Sequence, residues 1–181
     1  MPALTQYFVA SSLDGFIADE NDNLDWLLQM DGSASGETDD LYERFFADVG
    51  ALAMGATTYE WILQHVPDKW PYPSTPSWVF THRRLAPVEG ADVRFTQRPV
   101  PEVHAEMVAA ADGKNVWIVG GGELVGQFLD HGLLDELWVS ITPVLLGRGA
   151  PLLPRRRTSP MRLESVTSPQ RTFVHLRYSL R

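Results

Sequence analysis

V-W-I-V-G-G-G-E-L-V-G-Q-F-L-D-H, residues 116–131, opens on Val116, Trp117, Ile118 and Val119, an apolar run of β-branched and aromatic residues bounded by polar residues and glycine. A strand buried on both faces is written this way. Gly120, Gly121 and Gly122 follow, then Glu123 at a first-turn position and Leu124, Val125, Phe128 and Leu129 at helical spacing. The stretch predicts a buried strand that passes through a glycine turn into a helix. Such a turn can cradle a phosphate, because glycine tolerates positive φ and lets an anion approach the peptide N–H groups. The helix's unpaired first-turn N–H groups and its dipole then face the anion. The spacing is neither G-x-G-x-x-G nor a P-loop ending, so a plain strand-to-helix turn is the other reading.

The pattern occurs a second time. Ala51 to Met54 is a short apolar strand, Gly55 ends it, and a helix begins around Thr57 or Thr58 and carries Tyr59, Trp61, Ile62 and Leu63. Two cradles suit a ligand with several phosphates. Trp78 to Thr81 is strand-like and runs into His82, Arg83 and Arg84, which are either surface charge or phosphate contacts.

Upstream, Leu4 to Ala10 predicts a strand, Asp14-Gly15 a turn, Asp19 to Asp25 an acidic loop leading to Trp26, and Gly32 to Thr38 a second loop. A helix from Thr38 or Asp39 carries Leu41, Tyr42, Phe45, Phe46 and Val49 on one face. Asp39 and Asp40 stand in its first turn, where capping alone explains acidic residues. Pro67 to Pro76 is a rigid loop, Asp92 to Thr96 a strand and Pro101 to Asp112 a helix. Glu136 to Thr142 is an alternating strand, Pro143 to Pro154 an apolar loop, and Arg162 to Thr167 with Thr172 to Leu180 a closing antiparallel pair. Strands alternating with helices, then strands alone, predict an α/β fold of three layers. Its mixed sheet is mostly parallel with an antiparallel C-terminal edge and helices on both faces. One domain spans 1–181, with ligand at the carboxyl ends of the strands.

A net charge of −8 offers no basic face for nucleic acid. The run Arg155, Arg156 and Arg157 reads as a solvated loop. With no cysteine the chain has no thiolate nucleophile and no Cys-ligated zinc, and the histidines at 65, 82, 104, 131 and 175 lack ligand spacing. No stretch has transmembrane length, and the start shows no signal-peptide pattern, so the cytoplasm is the expected location.

Four segments in register, S-L-D-G-F-I-A at 12–18, M-G-A-T-T-Y-E at 54–60, I-V-G-G-G-E-L at 118–124 and L-W-V-S-I-T-P-V-L-L-G-R-G at 137–149, carry a resemblance over nearly the whole chain. The chain resembles the dihydrofolate-reductase-like family, in particular the reductase domain of the bifunctional riboflavin-biosynthesis deaminase/reductase. The resemblance implies NADPH as cofactor. It assigns the pyrophosphate to Gly120, Gly121 and Gly122 with Glu123 and Leu124, the opposite phosphate wall to Gly55, Thr57 and Thr58, and the adenosine 2′-phosphate to the loop from Thr81, with Arg83 as its reader. Ala56 departs from relatives that carry Arg or Lys there. On the substrate side it implies Asp14 and the helix with Asp39 and Asp40 along the cleft, Asp14 or Asp40 assisting protonation, and Trp26 in a mobile loop over the nicotinamide. No deaminase is present, since its zinc signature needs cysteine.

The expected function is thus an NADPH-dependent reductase acting on a small pteridine-like or pyrimidine-like molecule. The alternative is a non-catalytic NADP(H)-binding module of the same fold. A Rossmann short-chain reductase is disfavoured, because no G-x-G-x-x-G follows the first strand and no Tyr-x-x-x-Lys pair occurs. The family analogy implies a homodimer, with the apolar 137–153 segment as its contact.

Overall fold

The computed structural model describes residues 3–31, 40–67, 69–168 and 172–181. Its strands are β1 (Thr5–Ser11), β2 (Phe16–Ala18), β3 (Val49–Gly55), β4 (Ser77–Phe80), β5 (Val93–Thr96), β6 (Asn115–Gly120), β7 (Glu136–Ile141), β8 (Ala150–Pro151), β9 (Arg162–Thr167) and β10 (Val174–Ser179). The helices are α1 (Asp25–Asp31), α2 (Leu41–Ala47), α3 (Ala56–His65), α4 (Val100–Ala110) and α5 (Gly122–Asp130).

One sheet has the order β5-β4-β3-β6-β1-β7-β10-β9. Every pair from β5 to β7 is parallel, and β10 pairs antiparallel with both β7 and β9. The expected mixed sheet with its antiparallel edge is what forms. Its faces follow the period of two in the strands. Tyr7, Ala51, Ala53, Val116, Ile118, Leu137 and Val139 turn to one side, where they pack on Val103 and Met107 of α4 and Leu124, Val125 and Phe128 of α5. Leu52, Met54, Val79 and Trp117 turn to the other, against Phe45 of α2, Tyr59 and Ile62 of α3, and Trp70 and Tyr72 of the proline-rich loop. Burial on both faces explains why β3 and β6 read as unbroken apolar runs.

Two expectations need correction. The 143–154 segment is not simply a loop: β8 pairs antiparallel with β2, and Leu152 N–H donates to Gly15 C=O at 2.9 Å, so it forms a strap across the end of the sheet. Nor is 137–153 a free contact surface, because β7 lies inside the sheet between β1 and β10. What remains outward there is the 143–149 bend, with Leu145 at 70% exposure. Among the described residues no helix is long and apolar enough to cross a membrane.

Candidate functional site

At the carboxyl ends of β3, β4 and β6 lies a cleft of about 760 Å³. The register pairs Met54 with Gly120, which sets the two glycine turns side by side: a Cβ built on Gly55 would stand 3.9 Å from Gly120 O and 4.0 Å from Gly121 N. α3 and α5 both begin here, with Gly55 and Gly121 as N-cap residues and no side-chain cap hydrogen bond at either. Two sets of first-turn N–H groups, with two helix dipoles behind them, therefore face one space. No Lys, Arg or His is among the described residues that line it. The donors that an anion in the cleft would meet are backbone N–H, hydroxyl and other neutral side-chain groups, not cations.

The glycines serve different ends. Gly121 is extended, at φ −89, and a Cβ on it would meet only Ile17 Cδ1 at 3.9 Å, so protein packing does not demand glycine. Gly122 is the opposite case. A Cβ there would collide with Pro151 O and stand 2.7 Å from Leu152 O, both backbone atoms of the strap. One turn on, a Cβ on Gly126 would stand 2.7 Å from Arg155 Cζ. Gly122 thus lets the strap backbone lie on α5 and Gly126 gives room to the Arg155 guanidinium, so packing rather than a ligand accounts for glycine at these two positions.

Arg155, expected in a solvated loop, keeps only 22% of its side chain exposed. Its guanidinium donates to both oxygens of Glu123, at 2.7 and 2.9 Å, and to Asp130 at 2.8 Å. The Arg155 hydrogen bonds hold the Glu123 carboxyl below the usual carboxylate range. The one acidic residue in the first turn of α5 is therefore neutralised beside the cradle.

Of the residues singled out in the sequence, Gly55, Thr57, Thr58, Gly120, Gly121, Gly122, Glu123 and Leu124 converge on this cleft. Thr81 and Arg83 flank it without lining it. The Thr81 hydroxyl accepts from Arg83 N–H at 2.9 Å, and Arg83 Nη1 pairs with Glu60 Oε2 of α3 at 2.7 Å.

The substrate-side residues do not converge. Asp14 faces the 143–149 bend: Ser12 Oγ donates to it at 2.6 Å, Leu146 N–H at 3.1 Å and Gly147 N–H at 2.7 Å. The Ser12 hydroxyl and then the Leu146 amide hold its carboxyl below the usual range, and these bonds commit it to the bend rather than to the cleft. Asp40 precedes α2 and pairs with Arg44 at 2.9 Å on the surface. α2 borders a separate cavity of about 350 Å³ over Phe8, Trp138 and His175. Asp39 lies outside the described residues. Trp26, expected in a loop, is in α1 and does not line the cleft, whereas Asp22 and Leu24 just before it do.

Sequence reasoning missed the aromatic wall. Trp61 and Tyr72 line the cleft, Tyr72 is hydrogen-bonded to Tyr42 of α2, and the Trp61 indole N–H is buried with no acceptor. Trp61 stands at i+4 from Thr57, one turn along the helix that the second cradle opens, and that spacing was the available signal.

Sheet order, the twin glycine-led helices and the antiparallel edge define an α/β protein of dihydrofolate-reductase-like fold. Residues 4–172 match the model of the RibD C-terminal domain, and the chain belongs to that family. It is 34% identical over 152 residues to the uncharacterized protein YwjB of Bacillus subtilis (strain 168), covering 84% of this chain and 83% of that one. A Shewanella sp. PV-4 protein whose name places it in riboflavin biosynthesis superposes with a TM-score of 0.82 at 27% identity, over 98% of this chain and 99% of that one. Dihydrofolate reductase from Enterococcus faecalis, solved with NADP(H), superposes at 0.61 and 16% identity, over 99% and 97% of the two chains, and shares the fold.

Proposed function

We propose that this chain is an NADPH-dependent reductase that transfers hydride to a small, planar pteridine-like or pyrimidine-like substrate. The observation that carries the reading is the pair of adjacent, uncapped, glycine-led helix N-termini at one cleft. Such termini bind phosphates without cationic side chains. A space left open at Gly121 fits the close approach of a pyrophosphate. The fold shared with a reductase solved with NADP(H) supports the choice of cofactor.

In this reading the N–H groups of Gly121 to Leu124 hold one phosphate, and those at the start of α3, with the Thr57 and Thr58 hydroxyls, hold the other. The nicotinamide supplies the hydride when bound. The chain's part is to orient the reactants and exclude water. Ile17 and the Ala150–Pro151 strap close one side, and Trp61 and Tyr72 give a flat apolar wall suited to a conjugated ring. Asp22, which lines the cleft and is not engaged by Arg155 as Glu123 is, would orient the water that brings the proton.

One observation favours the second reading, a non-catalytic NADP(H)-binding module: Asp14 and Asp40, the carboxylates expected to serve protonation, both stand away from the cleft. Titrating the protein with NADPH and NADH, and following energy transfer from Trp61 to the reduced nicotinamide, tests both. Micromolar or tighter binding followed by oxidation with a pterin or pyrimidine supports the reductase. Binding without turnover supports the module, and binding of neither cofactor overturns both.

A cytoplasmic homodimer completes the proposal. β9 ends the sheet with every residue exposed, Leu163 and Val166 among them, and such an edge favours strand pairing with a second copy. A monomer mass by light scattering at micromolar concentration refutes it.

A further inference from the structure

We infer that Glu60 sets the cofactor preference of the cleft by competing with a 2′-phosphate for Arg83. The inference rests on the dinucleotide reading above and adds to it a residue that touches no part of the cradle. With no cation among the described residues that line it, the cleft has little of its own to tell a phosphorylated ribose from a plain one. Besides Arg155, which Glu123 and Asp130 engage, the fold brings Arg83 to its rim, three residues beyond Phe80, which ends β4 and lines the cleft.

Arg83 is parked on Glu60 at 2.7 Å. Ala56, which also lines the cleft, and Glu60 are i, i+4 on α3 and so share one helix face about 6 Å apart along the axis. Since the Thr81 hydroxyl holds Arg83 N–H at 2.9 Å, the side chain can move while its backbone stays.

The parked pair is exposed on both sides, and such pairs are weak enough to exchange. A phosphate offers guanidinium more charge than a carboxylate does, in the same bidentate geometry. NADPH therefore has to break the Arg83–Glu60 pair to recruit Arg83, whereas NADH leaves it intact. The cost of breaking it falls on one cofactor only.

The test is fluorescence titration of the unaltered chain, Glu60→Gln, Glu60→Ala, Arg83→Gln and the Glu60→Gln/Arg83→Gln double variant with NADPH and with NADH, with 2′,5′-ADP as a displacing probe. Glu60→Gln and Glu60→Ala should each tighten NADPH about three-fold, the scale of an exposed ion pair, without moving NADH. Arg83→Gln should weaken NADPH and 2′,5′-ADP and cancel the gain in the double variant. Equal shifts for the two cofactors, no shift, or a gain that survives Arg83→Gln overturns the competition. Failure of the unaltered chain to bind either cofactor overturns instead the reading beneath it, and is seen before any substitution is made.

Discussion

Alanine at Gly121 and alanine at Gly122 should fail in opposite ways, and the contrast separates a ligand's demand for glycine from the fold's. At 122 the new methyl would overlap Pro151 O and stand 2.7 Å from Leu152 O. Both are backbone atoms, so no rotamer change relieves the clash and the strap itself must shift. Overpacking of this kind costs about 1–3 kcal/mol, and in a domain of this size about 2 kcal/mol lowers Tm by roughly 4–8 °C. At 121 the methyl meets only the end of a flexible side chain, Ile17 Cδ1, at 3.9 Å, and φ is −89, so the Tm of Gly121→Ala should stay within roughly 2 °C of the parent. If the N–H groups after Gly121 hold a phosphate, however, that same methyl stands in its approach, and NADPH affinity should fall about ten-fold or more. Differential scanning fluorimetry and cofactor titration on the two variants give both readouts. A Gly121→Ala protein that is stable and binds NADPH normally refutes the cradle, and a Gly122→Ala protein with unchanged Tm refutes the strap argument.

Three further outcomes follow from the same geometry. Asp22→Asn should lower kcat on a reducible heterocycle about a hundred-fold with the NADPH Kd unchanged, while Asp40→Asn leaves kcat within about two-fold; steady-state kinetics giving the reverse order would return proton delivery to α2. Asp14→Asn should leave NADPH affinity unchanged and speed amide exchange at Leu146 and Gly147, which mass spectrometry resolves, and a loss of affinity without faster exchange would place Asp14 in the site after all. Burial raises the pKa of Glu136, but hydrogen bonds from Arg177, Trp138 and Gln6 outweigh it and carry the net shift downward. A depressed carboxyl stabilises the fold above its unfolded pKa of about 4.3, and that contribution is lost as pH falls through the folded value. Glu136→Gln should thus cost about 1–2 kcal/mol at pH 7 and flatten the fall of urea stability below about pH 4.3; an unchanged acid limb would refute the assignment.

The elements legible from sequence were those with a strong period or a strong stop. β6 and α5 could be read because a run buried on both faces leaves no polar residue until Gly120, and the helix then declares itself at Leu124, Val125 and Phe128. β8 could not, because two residues carry no period and its partner β2 is three residues long. α1, with seven residues after an acidic loop, is too short for an apolar stripe to show. At Asp14 the plain reading, a turn residue, described the geometry better than the catalytic one, since Gly15 N–H closes the turn on Ser12 C=O at 3.0 Å and the Asp14 carboxylate accepts from the 143–149 bend rather than facing the cleft. Arg155 was illegible for a different reason. Its partners Glu123 and Asp130 lie 32 and 25 residues away, and nothing local marks an arginine that will cross a helix.

The strap and the cradle are one device seen from two sides of α5. A phosphate at the helix N-terminus is favoured by the dipole but repelled by Glu123, the acidic residue in that first turn. Arg155 cancels that charge, and the missing side chain at Gly126 leaves room for its guanidinium. The strap, in turn, comes close enough to deliver Arg155 only because Gly122 lets the Pro151 and Leu152 carbonyls rest on the helix. The packing glycines, 122 and 126, therefore prepare the electrostatics of the cradle proposed at Gly120 and Gly121. Cofactor affinity in this cleft should accordingly depend on residues such as Arg155 that no bound dinucleotide needs to touch.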